Sequence, residues 1–169
     1  MKNILRISLF VALLLGVNAT VFSQAKFGHI NTNELLQEMP GREEASQELE
    51  KYAAELESTF STMQQEFQSK YQEYLDKQET YSELIRQSKE RELESLQQRI
   101  MEFQESAQED LVEKENQLLR PIIDRARKAI EDVAREEGYT YVFDSGMGVL
   151  LYSEPSDNIM EKVKAKIGI

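Results

Sequence analysis

Between Gly41 and Gly138 the chain contains no glycine and a single proline, Pro121. Nothing else in that span interrupts a helix, and it is rich in Glu, Gln, Lys, Arg and Ala, so residues 41–137 read as helical for nearly a hundred residues. An apolar stripe runs along it. Leu49, Tyr52, Leu56, Phe60, Met63, Phe67, Tyr71 and Tyr74 are spaced 3-4-4-3-4-4-3. Ile100, Phe103, Ala107, Leu111, Leu118 and Ile122 keep the same rhythm, with the polar Lys114 filling one slot. Eleven residues in three turns is about 3.67 per turn, which favours nearly straight or weakly right-handed winding over a tight left-handed coiled coil.

The flanks have a different texture. Lys26 to Asn31 reads as a short strand, followed by one helical turn carrying Leu35 and Leu36. Beyond Gly138, Tyr139 to Asp144 alternates in the period of a strand. Ser145-Gly146-Met147-Gly148 supplies a turn, Val149 to Tyr152 reads as a second strand, and Pro155 ends it. A last helix begins near Asn158, with Glu161 as capping-box partner and Ile159 or Met160, Val163 and Ile167 turned inward.

Strands need partners, and one continuous helix would hold these segments roughly 140 Å apart. A hairpin brings them together. The stripe is weakest between Leu75 and Lys89, which places the reversal at about 81–87 and makes each arm about 60–70 Å long. Pro121 should bend the returning arm. The expected fold is mainly α with a small β part (α+β): a long antiparallel helical hairpin, residues 41–137, on a β-rich body built from 26–40 and 138–169.

The N-terminus bears on compartment. Lys2 and Arg6 precede an apolar run from Ile7 to Val17, and Ser23-Gln24-Ala25 puts small residues at the −3 and −1 positions. That is the order of a secretory signal peptide over residues 1–25, cleaved near Ala25; the alternative is an uncleaved N-terminal anchor. No cysteine stands at the cleavage point, so lipidation there is excluded. Cleavage also removes Lys2 and Arg6, leaving 18 basic against 31 acidic residues, a net charge of −13. Such acidity repels phosphate backbones and argues against nucleic-acid binding. It also keeps a protein with apolar surfaces soluble.

Chemistry is sparsely represented. Without cysteine there is no thiol nucleophile and no disulfide, so packing or oligomerisation must hold the fold together. His29 is the only histidine, too few for a His-containing zinc site or an acid–base pair of the usual kind. Its place in a short strand points to packing or partner contact. Gly146 and Gly148 lack the Lys-Ser or Lys-Thr of a phosphate loop. The carboxylate clusters read as a solvated helix face with i,i+4 pairs, and nothing resembles a calcium-binding EF-hand loop. The expectation is no enzyme, no metal and no cofactor.

The stripe carries the functional information. A stable two-stranded coiled coil prefers Leu, Ile and Val in its seam. Here Phe60, Met63, Phe67, Tyr71 and Tyr74, with Ile100 and Phe103 on the returning arm, supply large adaptable side chains of the kind found on surfaces that bind varied partners. Packing of arm against arm is the competing reading for each of them.

The order of segments resembles the Skp/OmpH family of periplasmic chaperones. The most specific part is Leu118-Leu119-Arg120-Pro121-Ile122-Ile123, then Ala129-Ile130 and Val133-Ala134, then Gly138-Tyr139-Thr140-Tyr141-Val142-Phe143-Asp144. Lys26 to Pro40, with Ile30-Asn31 and Leu35-Leu36, matches less specifically. The resemblance implies a jellyfish-like homotrimer: strands of three chains form a small barrel, and three hairpins surround a cavity. Unfolded outer-membrane proteins are held there without ATP. On that implication Phe27, Ile30, Tyr141, Phe143, Val149 and Leu151 are candidates for the trimer core, and the seven stripe residues for client contact. The best-known member is strongly basic, whereas residues 41–80 here carry four Lys or Arg against ten Asp or Glu. Attachment to lipopolysaccharide or anionic membranes is therefore not carried over. A structural periplasmic coiled-coil tether or spacer is the alternative function.

Overall fold

The computed structural model describes residues 25–169, and the expected signal peptide lies outside the described residues, but for Ala25. Among the described residues 75% are helical, with one two-stranded sheet. Strand β1 (Phe27–Ile30) leads into helix α1 (Thr32–Glu38), long helix α2 (Arg42–Lys77), longer helix α3 (Glu83–Glu137), strand β2 (Tyr141–Asp144), a 3-10 turn (Pro155–Asp157) and helix α4 (Met160–Ile167). Strands β1 and β2 are parallel, with Phe27 opposite Tyr141 and Ile30 opposite Asp144. Parallel strands require a crossover connection. Here the crossover is the hairpin of α2 and α3, about 54 and 82 Å long at 1.5 Å per residue.

The two glycines that bound the glycine-free span end the helices. Gly41 at the start of α2 has φ 87°, and Gly138 at the end of α3 has φ 72°, both in the left-handed region where a side chain is strained. Gly138 donates its N–H back to Ala134 and Arg135, and Tyr139 N–H donates to the Ala134 carbonyl at 2.9 Å, which satisfies carbonyls left open at the helix end. Pro121 sits inside α3, and the helix continues through it as one element.

The reversal falls between Lys77 and Glu83, overlapping the upstream edge of the expected window. Its chemistry is a cap. Ser82 adopts an extended backbone and its Oγ accepts from the Ile85 N–H, while Thr80 bonds back to the Lys77 carbonyl through both its N–H and its hydroxyl. Read only as a polar gap in the stripe, Ser82 hides this role.

The core lies where the arm joins the sheet. Ile30, Leu35, Ile159 and Val163 are at most 1% exposed, and Ile122, Ala126, Ala129 and Val133 of α3 pack with them. Small residues on α3 admit close approach of the other elements. Two expectations need correction. Val149 to Tyr152 forms no strand in this chain: the sheet ends at β2, whose outer edge stays unpaired, and the other edge of β1 is bridged at His29 by Asn158. At the start of α4 the Asn158 Oδ1 accepts the Met160 N–H at 2.9 Å, but Glu161 is not its capping-box partner, because the Asn158 N–H donates to the Pro155 carbonyl instead.

Candidate functional site

Two surfaces collect the sequence-selected residues. The first is the outer face of the sheet. The register places Phe27 and Tyr141 on one side, while Ile30 points to the other. Phe27, Tyr141 and Phe143 form an aromatic cluster with ring centroids 5.9 to 6.4 Å apart. All three remain open to solvent, 44 to 59% exposed. Val149 and Leu151, at 76 and 99%, are also open to solvent, on the segment that does not pair. Ile30 does not belong to this face: it is buried in the chain's own core. Period-two alternation assigns it to the side opposite Phe27, a distinction that grouping by residue type missed.

His29 is buried at 8% exposure. Its Nε2 lies 3.1 Å from the Glu154 carbonyl, which can only accept, so Nε2 carries the proton. The Ile159 N–H donates to the His29 carbonyl, so this residue fastens the 3-10 turn and α4 to the sheet. Packing is thus the role of the single histidine.

Asp144 ends β2 and ties it to α1. Its carboxylate accepts from the Thr32 hydroxyl, the Thr32 N–H and the Gly146 N–H. Burial pushes the Asp144 carboxyl up, but those three donors outweigh it and hold the group below the usual aspartate range. A side chain at Gly146 would run into the Asn31 carboxamide, which explains the glycine there.

The second surface is the seam between the arms. Glu48 pairs with Lys114 and Lys70 with Glu92, each at 2.5 Å. Both pairs are separated by 22 residues along each arm, so the helices advance in one register. Twenty-two residues is two of the 11-residue repeats noted in the stripe. Lys114, the polar slot, reaches out of the seam to Glu48 while its ammonium lies 5.8 Å from the centre of the Tyr52 ring. Glu92 hydrogen-bonds Lys70 and holds the Lys70 ammonium above its ordinary value.

Of the seven stripe candidates, Phe60, Met63, Phe67, Tyr74, Ile100 and Phe103 are half-buried and Tyr71 is exposed at 47%. Phe67 and Tyr71 stack at 6.0 Å, and Phe60 faces Phe103 across a groove of about 310 Å³ that also includes Leu56 and Leu111. The seam is therefore packed and yet open along one side. Leu96, at 1% exposure, is the one fully buried large side chain of the arms, and the stripe as read from sequence omitted it. The signal was present: Leu93, Leu96 and Ile100 extend the same 3-4 rhythm toward the tip.

Among the described residues no group of three or more His, Cys, Asp or Glu could hold a metal ion, and no helix is long and apolar enough to cross a membrane.

Comparison with known proteins adds a family and a fold. The family model described as outer membrane protein (OmpH-like) matches residues 26–167. Among solved structures, a protein from Caulobacter crescentus CB15 described as a proposed outer membrane chaperone (OmpH-like) matches with a TM-score of 0.73 at 10% identity. The match covers 86% of this chain and 85% of that one, and at such identity it speaks for the fold. No curated protein sequence matches the chain.

Proposed function

We propose that the chain, which belongs to the OmpH-like outer membrane protein family, is an ATP-independent periplasmic holdase. It is exported by a signal peptide over residues 1–25, assembles as a homotrimer, and keeps unfolded outer-membrane proteins from aggregating in a cavity between its arms. It uses no cofactor.

The observation that carries the reading is the aromatic face of the sheet. A two-stranded sheet is marginal by itself, and one that leaves three aromatic rings and Leu151 in water is incomplete. Joining copies through Phe27, Tyr141, Phe143, Val149 and Leu151 covers them and gives Val149 to Tyr152 an edge to pair with. Ile30 supports that interface from the core beneath it. Closed cyclic symmetry around the sheets sets the hairpins side by side and leaves space between them. The half-open seam, with Phe60, Met63, Phe67, Tyr71, Tyr74, Ile100 and Phe103, offers many weak apolar contacts to a client that remains mobile. The acidic exterior keeps the loaded assembly soluble. It also leaves lipopolysaccharide and anionic membranes outside the proposal.

The test is dilution of a urea-denatured outer-membrane barrel protein into buffer with the purified mature chain. Light scattering should fall at a modest excess of trimer, and solution mass should be that of three chains. Unchanged aggregation overturns the holdase. A dimer without affinity for unfolded protein supports the tether or spacer instead.

A further inference from the structure

Helix α3 carries apolar doublets at intervals of 11 residues: Ile100-Met101, Leu111-Val112 and Ile122-Ile123. Three turns separate successive doublets, so the first members share one line along the helix and the second members another, about 100° further round. The first line is the inner one. Ile100 and Leu111 are half-buried and Ile122 is 7% exposed. The second line faces water, with Met101, Val112 and Ile123 at 52, 58 and 38% exposure. Packing within the chain accounts for the first line and leaves the second without a partner.

We infer that Met101, Val112 and Ile123 form a client-contact strip, and that its occupant is an extended apolar segment of unfolded polypeptide bearing basic side chains. The inference rests on the holdase reading above and adds to the seam contacts a second contact surface on α3.

A second copy's helix is a poor fit. Helix pairing needs an apolar side chain every three or four residues, and this strip offers one in 11. Three side chains expose on the order of a few hundred Å², well below the roughly 800 Å² per partner of a stable pair. An extended chain suits the spacing. Successive strip residues are about 16 Å apart along the helix, a distance covered by about five extended residues. Between them stand amides able to bond the peptide groups of such a chain, including Gln104, Gln108 and Asn116. A shallow groove of about 650 Å³ lies beside Val112, lined in part by Gln108, Asn116 and Arg120.

Charge selects the occupant. The helix neighbours of Met101 and Val112 one turn away include Glu105, Glu109 and Glu115, and no Lys or Arg. Lys70, Lys114 and Lys128 pair with Glu92, Glu48 and Asp132, and Arg120 lies at the body end of the groove, so Glu105, Glu109 and Glu115 have no basic partner among the described residues. The outer two-thirds of the strip is thus apolar within an acidic frame.

The experiment uses the full mature chain and two fluorescein-labelled unstructured peptides, one rich in Leu and Lys, the other with every Lys replaced by Glu. Anisotropy should show the Lys peptide bound about tenfold more tightly. The triple variant M101S/V112S/I123S should weaken its binding by about tenfold, and E105Q/E109Q/E115Q should narrow the gap between the two peptides. V112S alone, at a side chain remote from the core, should give a smaller loss in the same direction. Circular dichroism verifies that each variant keeps its helix. Equal affinity for both peptides, or a folded triple variant that binds like the parent, overturns the strip. If the parent suppresses aggregation of a denatured barrel protein while either result holds, the holdase stands and only the strip is wrong. If it does not suppress aggregation, the holdase fails and the strip with it.

Discussion

The body and the arms are built from the same helix α3, and they are stabilised in different ways. Near the body, α3 presents Ile122, Ala126, Ala129 and Val133 to α1, α4 and the sheet, and side chains there are excluded from water on all sides. Toward the tip it faces only α2, and one neighbour cannot enclose a helix. Most seam residues accordingly stay half-buried, with ion pairs at the margins. The difference teaches that a single helix spans two regimes of stability: a cooperative core that sets whether the chain folds, and a seam that opens locally at lower cost. A protein that must hold shape at its base and yield along its arms needs both.

Leucine truncation offers the most severe way to break that comparison. Leu35→Ala removes a side chain at 0% exposure from the body and should cost about 2–5 kcal/mol, lowering the urea midpoint of the whole chain. Leu96→Ala removes an equally enclosed one from the arm. There hydrogen exchange should rise near the tip while amides of β1 and α4 keep their protection. Global loss of protection in L96A would show that arm and body are one cooperative unit.

A smaller effect is expected at the join. The folded Asp144 carboxyl lies below its unfolded value, so its contribution is present above the unfolded pKa, near 4, and is lost as pH falls through the folded pKa. Asp144→Asn should destabilise by about 1–2 kcal/mol at pH 7 through its lost acceptors, with the parent and variant melting curves converging in acid. A difference that persists below both pKa values would place the effect in shape instead of charge.

The smallest effect belongs to the seam margin. Lys70→Gln breaks a pair with Glu92 whose members are each at least a third exposed. Its melting temperature should match the parent within error at 0.15 M salt, because exposed pairs are screened and lose side-chain freedom. A clear drop would mean that the seam depends on its ions more than on Phe60, Phe67 and Phe103.

Much of this architecture was legible because its signals are local. The helical span, its terminal glycines and the strand at Tyr141 to Asp144 follow from backbone preferences that residues carry with them. The family resemblance, resting on Leu118 to Asp144, holds over residues 26–167. What failed to show in the sequence depends on neighbours. Val149 to Tyr152 has strand composition, but a strand also needs to be brought alongside an edge, and this segment lies against neither β1, bridged by Asn158, nor the outer edge of β2. Ser82 was hard to recognise because a cap in a polar helix looks like another interruption of the stripe. Leu96 and the outer line of Met101, Val112 and Ile123 were overlooked for a related reason. The stripe identifies one face, and a second partner face becomes visible only when exposure is known.

The parallel pairing of β1 with β2 fixes an order of events. Phe27 emerges well before Tyr141, its partner, as a chain is delivered from its N-terminus, because the whole hairpin lies between them. Until then β1 has no strand to join, while α2 can already form and α3 can zip against it from the tip, since helix and hairpin contacts close quickly over short separations. The arm therefore acts as a timer, shortening the loop that must close before the sheet can exist. A chain interrupted between Glu137 and Tyr141 has an arm but no sheet, so such incomplete molecules are barred from whatever assembly the aromatic face supports.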